Sequence, residues 1–185
     1  MGGFVPVVFT TAVIDSGVLF TALTINYVER AHLPEAKGSA LLAKTVHREL
    51  CASAHLRHAY LQLLNGVRNP LITSHVVGEL QGLQTSRSKL RGEDLRFFWV
   101  HSLEFLLARN FDERLLRLMD MNDTGGMREA LCAIGPADTG LISLALSAGC
   151  PLVTDDDRTL AWRARHAGVD CHLARLLIGN GTSNW

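Results

Sequence analysis

The chain has 185 residues, in which 18 Lys plus Arg balance 18 Asp plus Glu, 48% of positions are apolar and only five are Pro. It is too apolar to be disordered and too short for two ordinary domains, and at zero formal net charge it carries no global basic field of the kind that announces a polyanion binder. A nucleic-acid partner would therefore have to be met by a local patch. Four cysteines (Cys51, Cys132, Cys150 and Cys171) show no CxxC pair, which reads as reduced thiols in a cytoplasmic protein.

Between residues 4 and 25 the only charged residue is Asp15, so a sliding window finds something like a membrane span. A carboxylate in mid-span would cost about 2.5–3.5 kcal/mol, and Pro6, Thr10, Thr11, Ser16 and Thr21 interrupt the run; no Lys or Arg precedes Arg30, so a signal peptide fits equally poorly. We expect no membrane segment. Residues 6–14 (PVVFTTAVI) instead predict a strand covered on both faces, followed by a helix over 16–23. The apolar spacing over 38–64 suits one long or two short amphipathic helices ended by Gly66. Residues 70–74 (PLITS) predict a second strand, and 75–83 and 93–109 predict helices. Residues 115–121 (LLRLMDM) are ambiguous, and we read them as a strand. Helices are expected over 127–134, closed by Gly135 and Pro136, and over 137–148 and 158–167, with strands at 151–154 (PLVT) and 169–173 and a polar tail at 179–185. Strands alternating with helices argue for an α/β domain with a mostly parallel sheet.

In such sheets ligands bind outside the carboxyl ends of the strands, so acids just after predicted strands stand out. Asp15 follows the first strand, Asp155, Asp156 and Asp157 follow PLVT, Glu79 lies about a turn and a half into the helix after PLITS, and Asp138 opens the helix that leads into PLVT. Each acid alone is most simply a helix cap or a solvated side chain. Together they form a cluster of like charges at strand exits, costly to desolvate unless something neutralises it. A divalent cation would do so.

VIDSGVLF, SHVVGEL, GPADTGLISLAL and GCPLVTDDDRTL, in this order, resemble the four acidic motifs of the PIN-domain nucleases, the fold of the VapC-type ribonuclease toxins. The resemblance covers nearly the whole chain. It implies a three-layer fold over residues 1–178, with a five-stranded, mostly parallel sheet between helices and an acidic metal-binding well at one end. It carries the family's acids onto Asp15, Glu79, Asp138 and Asp156 as catalytic and metal-binding residues. Thr154-x-Asp156 matches the family spacing, with Asp155 as the alternative fourth acid, and Thr154 would bond a carboxylate or water behind the ligands. The 64 positions from Asp15 to Glu79 exceed the spacing in the small toxins, which suggests an enlarged helical segment at about 30–64.

An all-carboxylate site suits the hard ions Mg2+ or Mn2+, one or two of them. A metal-activated water would then attack an RNA phosphodiester in line, leaving a 5′ phosphate and a 3′ hydroxyl. No GxSxG, GxxxxGK[ST] or GxGxxG motif offers another chemistry. Setting the four acids aside leaves 18 positive against 14 negative charges, a surplus of four. Arg87, Lys89 and Arg91 are the candidate substrate contacts, with Arg96, Lys44, Arg48 and Arg57 as further phosphate contacts. His47, Cys51, His55 and His58 suggest zinc, but along a helix the first and third stand about 12 Å apart, so all four cannot reach one ion. Phe97, Phe98, Trp99 and the nearby leucines read as core or as a homodimer face.

The leading expectation is thus a metal-dependent endoribonuclease, as the toxin of a type II pair with an antitoxin partner or in another RNA-processing context. The first rival is a non-catalytic PIN-like scaffold that binds RNA or a protein. The second, an Mg2+-dependent phosphatase with Asp15 as nucleophile, wants another Asp where Gly17 stands.

Overall fold

The computed structural model describes residues 9–31, 33–115 and 127–179, with side chains for all of these except 127–132 and 179. The β-branched run after Phe9 forms strand β1 (Phe9–Ile14), and its last three residues are fully buried. Parallel to it run β2 (Val67–Thr73), β3 (Asp112–Arg114), β4 (Leu152–Thr154) and β5 (Cys171–Leu173), in the order β3-β2-β1-β4-β5. The α/β class with an all-parallel five-stranded sheet flanked by helices is therefore as the sequence implies. The order reverses direction at β1, and that is where a doubly wound sheet opens a crevice.

Chain leaves β1 into helix α1 (Ser16–Arg30), in which every residue from Ser16 to Tyr27 except Gly17 is buried. A helix apolar on all sides needs cover on all sides. Cover comes from the sheet and from α2 (Glu35–Thr45), α4 (Ala54–Asn65), α5 (Ser74–Leu83) and α6 (Gly92–Ala108), all of which pack on α1. The span-like run at 4–25 is thus a buried strand followed by the central helix, at least over its described residues. Among those residues no helix is long and apolar enough to cross a membrane. Phe98 of α6 is fully buried against Phe20, Tyr27 and Trp99, at centroid distances of 6.2, 5.6 and 5.2 Å.

Several predicted boundaries move. The helical run at 38–64 is three helices, with a short α3 (Arg48–Ala52) between α2 and α4. Val46 and Ser53 take extended backbone angles, and the Ser53 hydroxyl accepts the Leu56 amide to start α4. The second strand starts three residues earlier than expected, and Ser74 already belongs to α5. The strand beside β2 lies at 112–114, ahead of the stretch read as a strand at 115–121, of which Leu115 alone is described and lies outside β3. Its polar DER sequence is tolerated because it is an edge strand, paired only with β2 through Leu71–Asp112, Ile72–Glu113 and Thr73–Arg114, and 116–121 lie outside the described residues. Helix α7 (Met127–Ala148) is broken at Gly135, whose φ of 83° lies in the region glycine favours, so the expected stop there is present. Helix α8 (Leu160–His166) is shorter than expected, and α9 (Ala174–Gly179) after β5 was not anticipated. The tail beyond 179 and the start of the predicted 6–14 strand, up to residue 8, also fall outside the described residues.

Candidate acidic cleft at the sheet switch point

Beyond the carboxyl ends of β1 and β4 lies a cleft of about 750 Å3. Its floor is acidic: Asp15, Glu79, Asp138, Asp155 and Asp156 all line it. Asp15 stands there because β1 and β4 are neighbours in register, with Ile14 beside Val153 and the Asp15 amide donating to the Val153 carbonyl at 3.0 Å. Glu79 comes from α5, the helix that leaves β2 on the other side of β1. Asp138 sits just after the Gly135 break, where the chain restarts as a helix packed on β1, β2 and β4. Thr139 locks that restart by donating to the Gly135 carbonyl at 2.7 Å, and an acid in the first turn is favoured by the helix dipole. All four predicted acids therefore meet in one cleft.

Asp15 is nearly buried and occupies the N-cap position of α1, yet its side chain does not cap that helix. Its Oδ1 accepts from the Ser16 hydroxyl at 3.2 Å and its Oδ2 from the Thr154 hydroxyl at 2.8 Å. Gly17 helps, since a Cβ there would stand 3.3 Å from Asp15 Oδ2. Burial pushes the Asp15 carboxyl above the usual range, the two hydroxyls pull it partly back, and the charge of Glu79 adds to the rise. Asp138 is pushed up to about 7, first by burial and then by Asp15, Glu79 and Asp156. One carboxyl thus feels the other three, which is how a shared anionic pocket behaves without a neutralising cation.

Thr154 ties the floor together. Besides donating to Asp15, its oxygen accepts the Asp156 amide at 3.0 Å. Thr154→Val removes both bonds while keeping the shape, so we expect a loss of about 1–3 kcal/mol in urea unfolding, with Thr154→Ser recovering most of it. A Val variant as stable as the parent would show that the hydroxyl does not organise the floor.

The aspartate run after β4 divides its tasks. Asp155 has both oxygens engaged: Oδ2 accepts from the buried Tyr60 hydroxyl at 2.6 Å and Oδ1 from the Arg175 amide at 3.0 Å. Burial and the Asp155 charge push the Tyr60 phenol well above 10, so it stays a donor. Asp156, which also lines the cleft, uses Oδ1 to accept the Arg158 and Thr159 amides at 3.1 and 3.0 Å, and its Oδ2 has no hydrogen-bond partner among the described residues. Asp157 pairs with Arg175. The engaged Asp155 is therefore a brace between α4, β4 and α9, and Asp156 is the better placed fourth acid.

The predicted basic residues separate in the same way. Arg87 and Lys44 line the cleft. Lys89 and Arg91 are exposed but do not line it, and Arg96 lies beside Glu93 at 3.9 Å. Arg57 donates to the Leu50 and Cys51 carbonyls at 3.0 and 3.1 Å, holding the end of α3. Arg48 is exposed on α3 and does not line the cleft. Sequence reasoning weighed His47 only as a zinc ligand, whereas it joins Thr45, Val46 and Ser86 in the cleft wall. The break at Val46, which turns the chain into the cleft, is the signal that was missed.

The donor set fits a hard cation: it is all oxygen, and Asp156 and Glu79 keep carboxylate oxygens that no described group occupies. The acids share the cleft without a closed cage, for among the described residues no three His, Cys, Asp or Glu side chains form a ready-made metal group. His47, Cys51, His55 and His58, whose spacing already keeps all four from one ion, form no such group either among the described residues, and Ser53 interrupts the helical path between them. No known protein-family model and no curated protein matches the chain.

Proposed function

We propose that this chain is a PIN-like, divalent-cation-dependent endoribonuclease. The observation that carries the reading is the meeting of Asp15, Glu79, Asp138 and Asp156, from four separate segments, in one cleft at the switch point of a parallel sheet. Asp138 with its carboxyl near 7 supports it, because such a pocket is poised to exchange a proton for a cation. Asp15, Glu79, Asp138 and Asp156 would hold Mg2+ or Mn2+, which when bound supplies the charge that activates water and steadies the leaving oxygen. Thr154 keeps the Asp15 carboxylate aimed at the floor, and Asp155, fastened to Tyr60 and the α9 backbone, keeps the Asp156 loop from drifting. RNA as substrate, and the toxin of a toxin–antitoxin pair as context, rest on the resemblance of the four motifs. Three described cysteines, Cys51, Cys150 and Cys171, are unpaired, which suits a reducing cytoplasm.

The test is incubation of the purified chain with labelled single-stranded RNA in Mn2+ or Mg2+ against EDTA. Products with 5′ phosphate and 3′ hydroxyl ends are expected only with the ion. Intact RNA under both conditions overturns the reading.

A second reading, a PIN-like scaffold without catalysis, would present the same cleft to RNA or to a protein. Titration calorimetry with Mn2+ separates the two, since the nuclease binds the ion at or below millimolar concentration and a scaffold need not. A homodimer through α6 is supported by Phe97, Val100, Leu103 and Leu107, which are 42–68% exposed along one side of that helix.

A further inference from the structure

Besides the acids, the cleft is lined by two short segments: the α2–α3 joint, with Lys44, Thr45, Val46 and His47, and the π-helical turn Gln84–Ser88, with Ser86 and Arg87. Helix α2 packs on that turn. The turn is held rigidly, because the buried Gln84 side chain donates to Ser88 Oγ at 3.3 Å and to the Leu90 carbonyl at 3.2 Å, and Lys89 closes it in the left-handed region with its amide on the Gln84 carbonyl. Single π turns inside helices recur at functional sites, and a rigid support spares a cation the entropy of being ordered on binding.

Lys44 and Arg87 are exposed, and among the described residues neither has a carboxylate at ion-pair distance, although five aspartates and glutamates line the same cleft. Cations held beside an acidic floor without neutralising it leave room for a third party that carries negative charge and can bridge the two. A sugar–phosphate strand does this: one phosphate over the acids and their cation, the next ones on the wall.

Resting on the nuclease reading above, we propose that Lys44 and Arg87, with the His47 side chain as a neighbouring donor, form the site that grips the phosphates flanking the cleaved bond of a single RNA strand. The inserted helices α2 and α3 supply half of this site, so the enlargement between Asp15 and Glu79 is a substrate-binding device. Arg91 and Arg96, outside the cleft, take no part.

The test is fluorescence anisotropy of a labelled single-stranded RNA oligonucleotide on the full chain carrying Asp138→Asn, to prevent cleavage, across a salt series. Lys44→Ala and Arg87→Ala should each weaken binding about 5- to 10-fold at 0.1 M salt and lower the slope of log affinity against log salt by about 0.7, with the double variant losing about 1.4. Lys44→Arg should restore most of the affinity. Arg91→Ala and Arg96→Ala should leave both quantities unchanged. Circular dichroism confirms that the exposed substitutions leave the fold intact. Affinity and slope unchanged in the Lys44 and Arg87 variants, or an equal loss in the Arg91 and Arg96 variants, overturns the inference. Failure of the nuclease reading looks different: RNA stays intact with Mn2+, while the loss of binding in Lys44→Ala and Arg87→Ala persists and upholds the phosphate site.

Discussion

Asp15→Asn and Asp138→Asn should each lower RNA cleavage by at least about 100-fold while leaving the fold intact. The two residues reach the cleft by different routes, one from the end of the central strand and one from the restarted half of α7, so their joint requirement tests convergence and not a local defect. Asparagine keeps size and hydrogen-bonding capacity but removes the charge that a hard cation needs, and losing even a supporting partner of a metal ligand costs about 10–100-fold. For Asp15 the Thr154 hydroxyl can still donate to the amide oxygen, so stability should change little. The kinetic signature is a fall in kcat with binding of RNA kept, because the phosphate contacts lie on the wall. Single-turnover cleavage in Mn2+ checks this, and full activity in either variant would remove that residue from the reaction.

The metal-free chain should be more stable near pH 5 than near pH 8, and a divalent cation should reverse the order. Asp138 binds its proton more tightly when folded, at about 7 against an ordinary 3.8. Its favourable contribution is therefore complete below about 4, is lost as pH rises toward 7, and stays lost above that. Asp15, raised by burial, acts in the same direction. Asp138 is only partly buried, so solvent screening trims the effect to about 1 kcal/mol, or about 2–4 °C in Tm for a chain of this size. Mn2+ at about a hundred times its Kd adds about 2.7 kcal/mol at pH 8, some 5–10 °C, and much less at pH 5, where protons compete for the oxygens. Asp138→Asn should raise the metal-free Tm at pH 8 and forfeit most of the gain from Mn2+. Thermal unfolding with and without Mn2+ at the two pH values reads all of this. A Tm that Mn2+ leaves unmoved at pH 8 contradicts a cation site at these acids.

Sequence alone located the floor of the cleft because its logic is local. An acid directly after a buried β-branched run marks a strand exit, and Asp15 and the Asp155–Asp157 run both announce themselves that way. The parallel sheet then forces strand exits to one side, so Asp15 and Thr154 become neighbours despite a separation of 139 positions along the chain. Other features depend on long-range packing that no periodicity encodes. Tyr60 reads as one more apolar contact in a helix, and its bond to Asp155 is visible only when α4 is seen against β4 and α9. The edge strand β3 carries no sequence signal because its three residues are polar, and an edge strand with one neighbour needs no hydrophobic alternation. The joint at Val46 and His47 hid inside a run whose leucines kept helical spacing on both sides. For the same reason the basic residues were chosen by proximity in sequence, and Lys89 and Arg91 fall outside the cleft that Arg87 lines.

Crystals grown with Mn2+ and measured at the manganese absorption edge test the central claim most directly. We predict an anomalous peak in the cleft, with oxygens of Asp15 and Asp138 and at least one of Glu79 or Asp156 in its coordination shell and water completing it. Manganese bound only elsewhere, or a cleft without it at saturating concentration, would contradict the account.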